Sequence, residues 1–333
     1  MDDRLKLTTT LTGLEDCLVL GRPSRWFSIP GTVVAHVESD FPVGLVCSIN
    51  GVSPMELALG PDSGRLVGKG DFVADIPWEM VHQGMNQLLF VMQLPDGSIC
   101  SSIQDFNLVL EPYQSSSHCY DFTKGTLPGD IGALIVDGLW VKGNGGIKPV
   151  APGYDRLVAF GDAGLRDFSV RAEMTIHGFS TDAPGYPEAM GPGAGFLLRW
   201  TGHHPDEYSP NREWRPIGVL AWYRYGRDLA DTVRDYRLQL LGGRLKADHT
   251  SEPLAEDCSG RKLELGVSHT YFIEASTIAG QKTMYRLKVW KTGTPEPDSW
   301  DLEGTSLPGE ATTGSVLFVL HYAHATLHRL SIR

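Results

Sequence analysis

Between Gly193 and Leu241 apolar side chains return at every second position, in the runs GAGFLLRWTG, RPIGVLAWYRYG and DYRLQLLGG. A period of two belongs to a strand with one buried face, whereas a helix requires 3.6. Ala194, Phe196, Leu198 and Trp200 share one side of the first run, with Leu197 and Arg199 on the other. In the second, Ile217, Val219, Ala221 and Tyr223 oppose Leu220, Trp222 and Arg224. In the third, Tyr236, Leu238 and Leu240 oppose Arg237, Gln239 and Leu241. As neighbours in one sheet, the runs predict an apolar face and a face carrying Arg199, Trp222, Arg224, Arg237 and Gln239. Arginine, tryptophan and amide side chains together suit a sugar or an anion better than bulk water.

The same alternation fills the rest of the chain. Residues 1–113 hold KLTTTLTG, RWFSIPGTVVAHVES, GLVCSING, FVADIPWEM, NQLLFVMQL and DFNLVLEPY. Turn signals separate them at Asn50-Gly51, Gly60-Pro61-Asp62, Gly68-Lys69-Gly70 and Asp96-Gly97. Short strands at this spacing predict an antiparallel sandwich. The pattern resembles an immunoglobulin-like or fibronectin-like accessory domain in architecture; the Cys–Trp–Cys hallmark of antibody domains is not in place. Asp62, Asp71 and Asp75 are read as turn residues rather than calcium ligands, because Asp beside Gly builds Asx-turns. The serine-rich stretch from Gln114 to His118 marks a boundary, and 333 residues suit two domains. Residues 114–333 continue with strand-like runs to the end and offer no long amphipathic helix. The 38 glycines and 21 prolines are dispersed, as turns between short strands require. The expected fold class is all-β: an immunoglobulin-like sandwich over 1–113, then a jelly roll over 114–333, with little helix.

In this second part, DFSVRAEMTIHG followed by GAGFLLRW resembles a strand pair of concanavalin A-like, laminin G-like lectin and glucanase domains. TMYRLKVWKTGTPEPDSWDL resembles a run of their bacterial members, and VLFVLHYAHATLHRLSIR resembles their last strands, which return beside the first. The resemblance covers most of residues 120–333. It implies a concanavalin A-like jelly roll, shared by lectins, glycoside hydrolases, polysaccharide lyases and adhesion modules, so it selects no activity. It also implies one structural calcium at a sheet edge, with Asp162 of the Phe160–Asp162 turn as its acid; hard oxygen ligands suit that ion.

A net charge of −11 argues against a general nucleic-acid binder. No apolar run approaches the roughly 18 residues that span a bilayer, so no membrane insertion is expected. MDDRLKLTTTLTG has no leader-like apolar segment; it reads as cytoplasmic, or as a secreted chain with its signal removed. The five cysteines form no metal knuckle, and Cys47 with Cys100 is the one pairing a small sandwich leaves open.

Three chemistries fit the polar strand faces. Arg171, Glu173, Thr175 and His177 share a face of their run; Phe272, Glu274 and Ser276 share one, as do Arg286, Lys288 and Trp290. The first reading is a noncatalytic carbohydrate-binding or adhesion protein, its polysaccharide or glycan held by Arg199, Trp222, Arg224, Arg237, Gln239, Lys288 and Trp290. The plainer alternative makes both tryptophans core. The second is a glycoside hydrolase, which requires Glu173 and Glu274 side by side, since the E-x-D-x-x-E cluster of the glucanases is absent. The third is a uronate lyase drawing on Arg199, Arg224, His177, His203, His204 and Tyr225, although the lyases' R-x-E-L-R and Q-I-H strands are missing. His203 and His204 with Asp206 and Glu207 read as a surface loop, with Tyr208 and Trp214 as possible rim residues.

Overall fold

Valine, isoleucine and aromatic residues at alternate positions leave the backbone no better arrangement than paired strands, and strands account for the regular structure. A computed structural model describes residues 4–52, 54–62, 64–114, 118–180, 192–203, 217–227, 234–245 and 251–333. Among them no α-helix occurs, only 3-10 turns of three residues each. None of these turns is long and apolar enough to cross a membrane.

Four sheets form two stacked pairs. Before residue 112 lie a three-stranded sheet (Leu5–Thr9, Trp26–Ala35, Asp71–Pro77) and a five-stranded sheet in the order Cys17–Leu20, Ile99–Glu111, Gly84–Gln93, Gly44–Ile49, Met55–Leu57. Cys17–Leu20 runs parallel to Ile99–Glu111, and the other pairings are antiparallel. After residue 117 comes a seven-stranded sheet ordered Leu134–Asp137, Arg156–Phe160, Ser315–His321, Gly193–Trp200, Val219–Arg227, Arg234–Leu245, Ser251–Glu256. Facing it is an eight-stranded sheet: Trp140–Gly143, Gly146–Pro149, Ala323–Ile332, Phe168–Phe179, Ser268–Thr277, Thr283–Lys291, Leu302–Thr305, with His118–Asp121 also on Ala323–Ile332. The closing strand thus returns beside the first strand of this region, Ile332 opposite His118. Tyr322, at φ 46°, makes the corner by which the chain leaves one sheet for the other.

The two larger sheets enclose one core, with Phe196, Tyr223, Tyr271, Tyr285 and Phe318 among its rings. A second core fills the N-terminal sandwich and does not stop there. It continues onto the outer face of the seven-stranded sheet through Leu134, Val136, Leu157, Ala159, Leu197, Trp200, Leu317 and Val319. The N-terminal sandwich therefore rests on that face. Arg65 ties the junction by pairing with Asp75 at 2.6 Å and with the fully buried Asp137. Arg156 donates to the Gly64 carbonyl at 3.2 Å, and Ser315 to the Pro23 carbonyl at 2.5 Å.

One departure from the period-two reading has a local cause. Arg199 adopts φ 54°, and the register to Ser315–His321 shifts between Leu198 and Trp200. A bulge inserts one residue and exchanges the faces beyond it. Trp200 consequently joins Leu197 against the N-terminal sandwich, and Arg199 turns inward, the reverse of the expectation. Cys47 and Cys100 lie in one sheet with Gly84–Gln93 between their strands. Two strand spacings are about 10 Å, beyond the roughly 7 Å that a disulfide spans, so both are buried free thiols. The aspartates of the N-terminal part serve turns and pairs. Asp62 accepts from the Gly64 and Leu66 amides at 2.7 and 3.0 Å, Asp71 accepts from the Gly68 amide, and Asp75 accepts from Ser28.

Candidate functional site

The outer face of the seven-stranded sheet grades from apolar to polar along its strands. Ala159, Leu317, Leu197 and Leu220 form its apolar part, next to the N-terminal sandwich. Two residues further along, cross-strand register aligns Val319, Gly195, Trp222, Gln239 and Glu256. The next row holds His321, Gly193, Arg224 and Arg237. The missing side chains of Gly193 and Gly195 leave a floor for the Trp222 indole; a Cβ at Gly193 would lie 2.3 Å from ring carbons.

These groups satisfy one another. Trp222 Nε1 donates to Gln239 Oε1 at 2.9 Å, and Gln239 Nε2 donates to Glu256. Arg237 pairs with the other oxygen of Glu256 at 3.1 Å. His321 Nδ1 lies 2.9 Å from Asp155 Oδ1, and its ring meets Trp222 edge-on with centroids 6.3 Å apart. Trp222 is 2% exposed and Gln239 also 2%. A ring so enclosed offers no surface for a sugar to stack on. Arg224 and Arg237 are half-buried beside it.

The other residues expected on this face sit elsewhere. Arg199 is buried between the sheets, donating to Thr283 and to the Arg166 carbonyl at 2.6 Å, with Asp167 at 3.6 Å. Burial pushes its guanidinium below the ordinary arginine value, against the pull of Tyr285 and Asp167. Tyr225 stacks on Phe179, centroids 5.2 Å apart, on the side opposite Trp222. Arg199, Arg224, Tyr225 and His177 are therefore dispersed over three surfaces, and the uronate-lyase set is not assembled. His203 packs edge-on against Trp200 at 5.5 Å. His204, Asp206, Glu207, Tyr208 and Trp214 lie outside the described residues.

The eight-stranded sheet does bring together the runs of Arg171, Phe272 and Lys288, which align across three strands. Here too the cluster is filled from within. Lys288 Nζ lies 4.8 Å above Trp300 and 5.5 Å from Phe272, donates to the Pro297 carbonyl at 2.9 Å, and pairs with Glu296 at 2.7 Å. Arg171 lies 5.2 Å over the Trp290 ring and also pairs with Glu296. The Lys288 hydrogen bond lowers the Glu296 carboxyl below its ordinary range, and Arg171 adds to the effect. Lys288 and Trp290 are each 7% exposed, so their cation–π contacts serve the fold. Glu173 and Glu274 lie on adjacent strands, but Glu274 faces Ser169 while Glu173 faces Thr270. That offset of four residues is about 13 Å, beyond the roughly 9.5 Å of an inverting pair. Each also has its own arginine, Arg329 at 3.6 Å and Arg286 at 3.7 Å.

An open pocket remains on the outer side of this same sheet. It measures about 500 Å³ and is lined by Val141, Lys148, Pro149, Val150, His177, Gly178, His324 and Ala325. Four strands build it. Gly178 lies opposite His324 and Ile176 opposite Ala325, while Ile147 next to Lys148 meets Leu327. Diagonal pairs fix the floor: His177 Nε2 lies 2.8 Å from Thr326 Oγ1, and His328 Nε2 2.8 Å from Thr175 Oγ1. His328 Nδ1 donates to the Gly145 carbonyl at 2.6 Å, so in the neutral ring its Nε2 accepts from Thr175. Partial burial pushes His177 below the usual histidine value, with His328, Lys148 and His324 adding like charge. Lys148 and His324 are exposed and make no hydrogen bond or ion pair among the described residues. Among the described residues no carboxylate lines the pocket. Of these residues only His177 stood among the sequence candidates. Extending the alternation through AHATLH would have placed His324, Thr326 and His328 on one face.

Among the described residues no group of three or more His, Cys, Asp or Glu is arranged to hold a metal. Asp162 accepts from the Arg22 amide at 2.9 Å through one oxygen and from the Gly164 amide at 2.7 Å through the other. Amide hydrogens directed at both oxygens make it the cap of a turn.

No family model matches the chain, and no curated protein does. Among solved structures it is similar to the Ca²⁺-bound exoplasmic/lumenal domain of VIP36, at 11% identity and TM-score 0.40 over 65% of this chain and 89% of that one. The same domain with Ca²⁺ and Man2 gives 11%, TM-score 0.39, and 65% and 86% coverage. A carbohydrate-binding module from the β-sandwich superfamily gives 10%, TM-score 0.22, and 100% and 97% coverage. At these scores the likeness assigns neither a family nor a site.

Proposed function

We propose that this chain is a noncatalytic carbohydrate-binding or adhesion protein whose glycan site is the pocket at Lys148, His177 and His324. In this reading residues 114–333 are a concanavalin A-like jelly roll and residues 1–113 an immunoglobulin-like accessory domain. The sheet orders support the second assignment: Ile99–Glu111, Gly84–Gln93, Gly44–Ile49, Met55–Leu57 follow the G-F-C-C′ order, and the three-stranded sheet follows A-B-E. The return of the closing strand beside the first supports the other.

The observation that carries the function is the composition of the pocket wall. Val141, Pro149, Val150 and Ala325 give apolar surface for the C–H faces of a sugar, and Lys148, His177 and His324 give donors for its oxygens. A cavity of about 500 Å³ is in the range of small-ligand sites. A glycosidase needs two positioned carboxylates. The described residues of the pocket lining include none, and the reading uses no metal. The test is a panel of oligosaccharides titrated into the protein and into His324→Ala, with reducing ends and unsaturated products followed in parallel. Binding weakened in His324→Ala, with no product from any substrate, is the expected result. Sustained product release removes the noncatalytic reading.

A further inference from the structure

The chain carries 40 acidic and 29 basic residues, so a carboxylate is the charge most often met at its surface. The pocket departs from that composition. Among the described residues that line it are Lys148, His177 and His324, and none of the described ones is acidic. Two described carboxylates nearby are engaged with other cations: Glu173, on the His177 strand, with Arg329 at 3.6 Å, and Glu264, in the loop before Ser268–Thr277, with Lys291 at 3.7 Å. The charged groups acting on His177 are His328, Lys148 and His324, from Ala323–Ile332 and Gly146–Pro149 on one side of its strand, and all three disfavour a further proton. Such an arrangement repels cations and leaves positive charge uncompensated. Elsewhere the chain pairs its partly buried cations, Arg65 with two aspartates and Lys288 with Glu296.

The geometry points to an anionic saccharide, one bearing a carboxylate or a sulfate, as the ligand of this pocket, bound together with protons taken up by its histidines. This deepens the glycan-binding reading and rests on it. Lys148 supplies a permanent charge. The ligand's anion offsets the like charge that Lys148, His324 and His328 place around His177, so that ring holds a proton more readily in the complex than in the free protein. Binding and protonation are linked reciprocally, and affinity therefore rises as pH falls through the ordinary histidine range near 6.5. Uronates and sulfate esters stay ionised over that interval, so the change belongs to the protein.

The experiment is calorimetric titration of the full chain at about pH 7.5 and about pH 5, either side of the histidine range. The probes are a galacturonate trisaccharide, a sulfated galactose trisaccharide, neutral galactotriose, and free acetate and sulfate, with circular dichroism confirming the fold at both pH values. Expected is binding of at least one charged trisaccharide, about tenfold or more tighter at the lower pH, with proton uptake visible as buffer-dependent heat. Which of the two binds separates a carboxylate from a sulfate as the recognised group. Lys148→Met weakens that ligand at both pH values. The double change His177→Gln, His324→Gln flattens the pH dependence. Neutral galactotriose binding equally well at both pH values overturns the inference and leaves the glycan reading standing. Free sulfate or acetate binding as tightly as the trisaccharides overturns both, because no sugar is then being read. Binding of no probe at either pH also overturns both.

Discussion

The two sheets of the C-terminal sandwich present outer faces that look alike in sequence and differ in state. The seven-stranded face is covered by the N-terminal sandwich over its apolar part, and its polar groups are bonded to one another, from Trp222 through Gln239 and Glu256 to Arg237. The eight-stranded face is filled from within at one end, where Lys288 and Arg171 occupy the rings of Phe272, Trp290 and Trp300. At its other end it stays open beside His177, His324 and Lys148. An aromatic or cationic residue on a strand marks a ligand site only where the protein has not supplied the partner itself. By that criterion the end beside His177, His324 and Lys148 qualifies.

The largest effect is expected at the junction that closes the seven-stranded face. Arg65→Ala removes the cation paired with the buried Asp137 and leaves it only the more distant charge of Arg156; breaking such a pair costs about 3–5 kcal/mol. Urea unfolding should register the loss, and the remaining folded protein should bind at the pocket as before. The same pair gives a pH signature. Burial pushes the Asp137 carboxyl up from 3.8 to about 6, against the attraction of Arg65. Its folded value exceeds its unfolded one, so the stability it contributes is full below 3.8 and disappears as pH rises through 6. Asp137→Asn should remove that share of the pH dependence of the urea midpoint.

Trp222→Ala comes next. A fully enclosed indole cut back to a methyl leaves a cavity and strands the Gln239 amide, at about 3–5 kcal/mol. Thermal unfolding should fall accordingly while saccharide affinity stays unchanged; an affinity loss with the midpoint intact would reopen this face as the site. A smaller effect belongs to Lys288→Ala, about 1–2 kcal/mol for lost cation–π and stem packing, again without change in binding.

Much of the sandwich architecture was legible because alternation is a local signal. The faces of Val219–Arg227 and Arg234–Leu245 follow the period-two reading over Val219 to Arg224 and over Tyr236 to Leu240. The reading failed at Arg199, where a bulge exchanges the faces and nothing in FLLRWTG announces it. The site was less legible, for two physical reasons. Register between strands distant in sequence decides which polar groups meet, and it moved Glu173 and Glu274 four residues apart. Covering by another part of the chain decides which groups reach solvent, and the alternation in LAWYRYG carries no sign that Trp222 is enclosed. Lys148 escaped notice because it stands alone between Ile147 and Pro149, and becomes part of a site only through the strand of His324.

The central claim is that ligand enters at the open end of the eight-stranded face and not on the seven-stranded one. Side-chain nuclear magnetic resonance reads both at once, by following histidine ring nitrogens and tryptophan indole N–H signals while a binding oligosaccharide is titrated. The account predicts saturable shifts of the His177 and His324 rings, with the His321 ring and the Trp222 indole N–H unmoved. Saturable shifts of Trp222 and His321, with His177 and His324 silent, would contradict it.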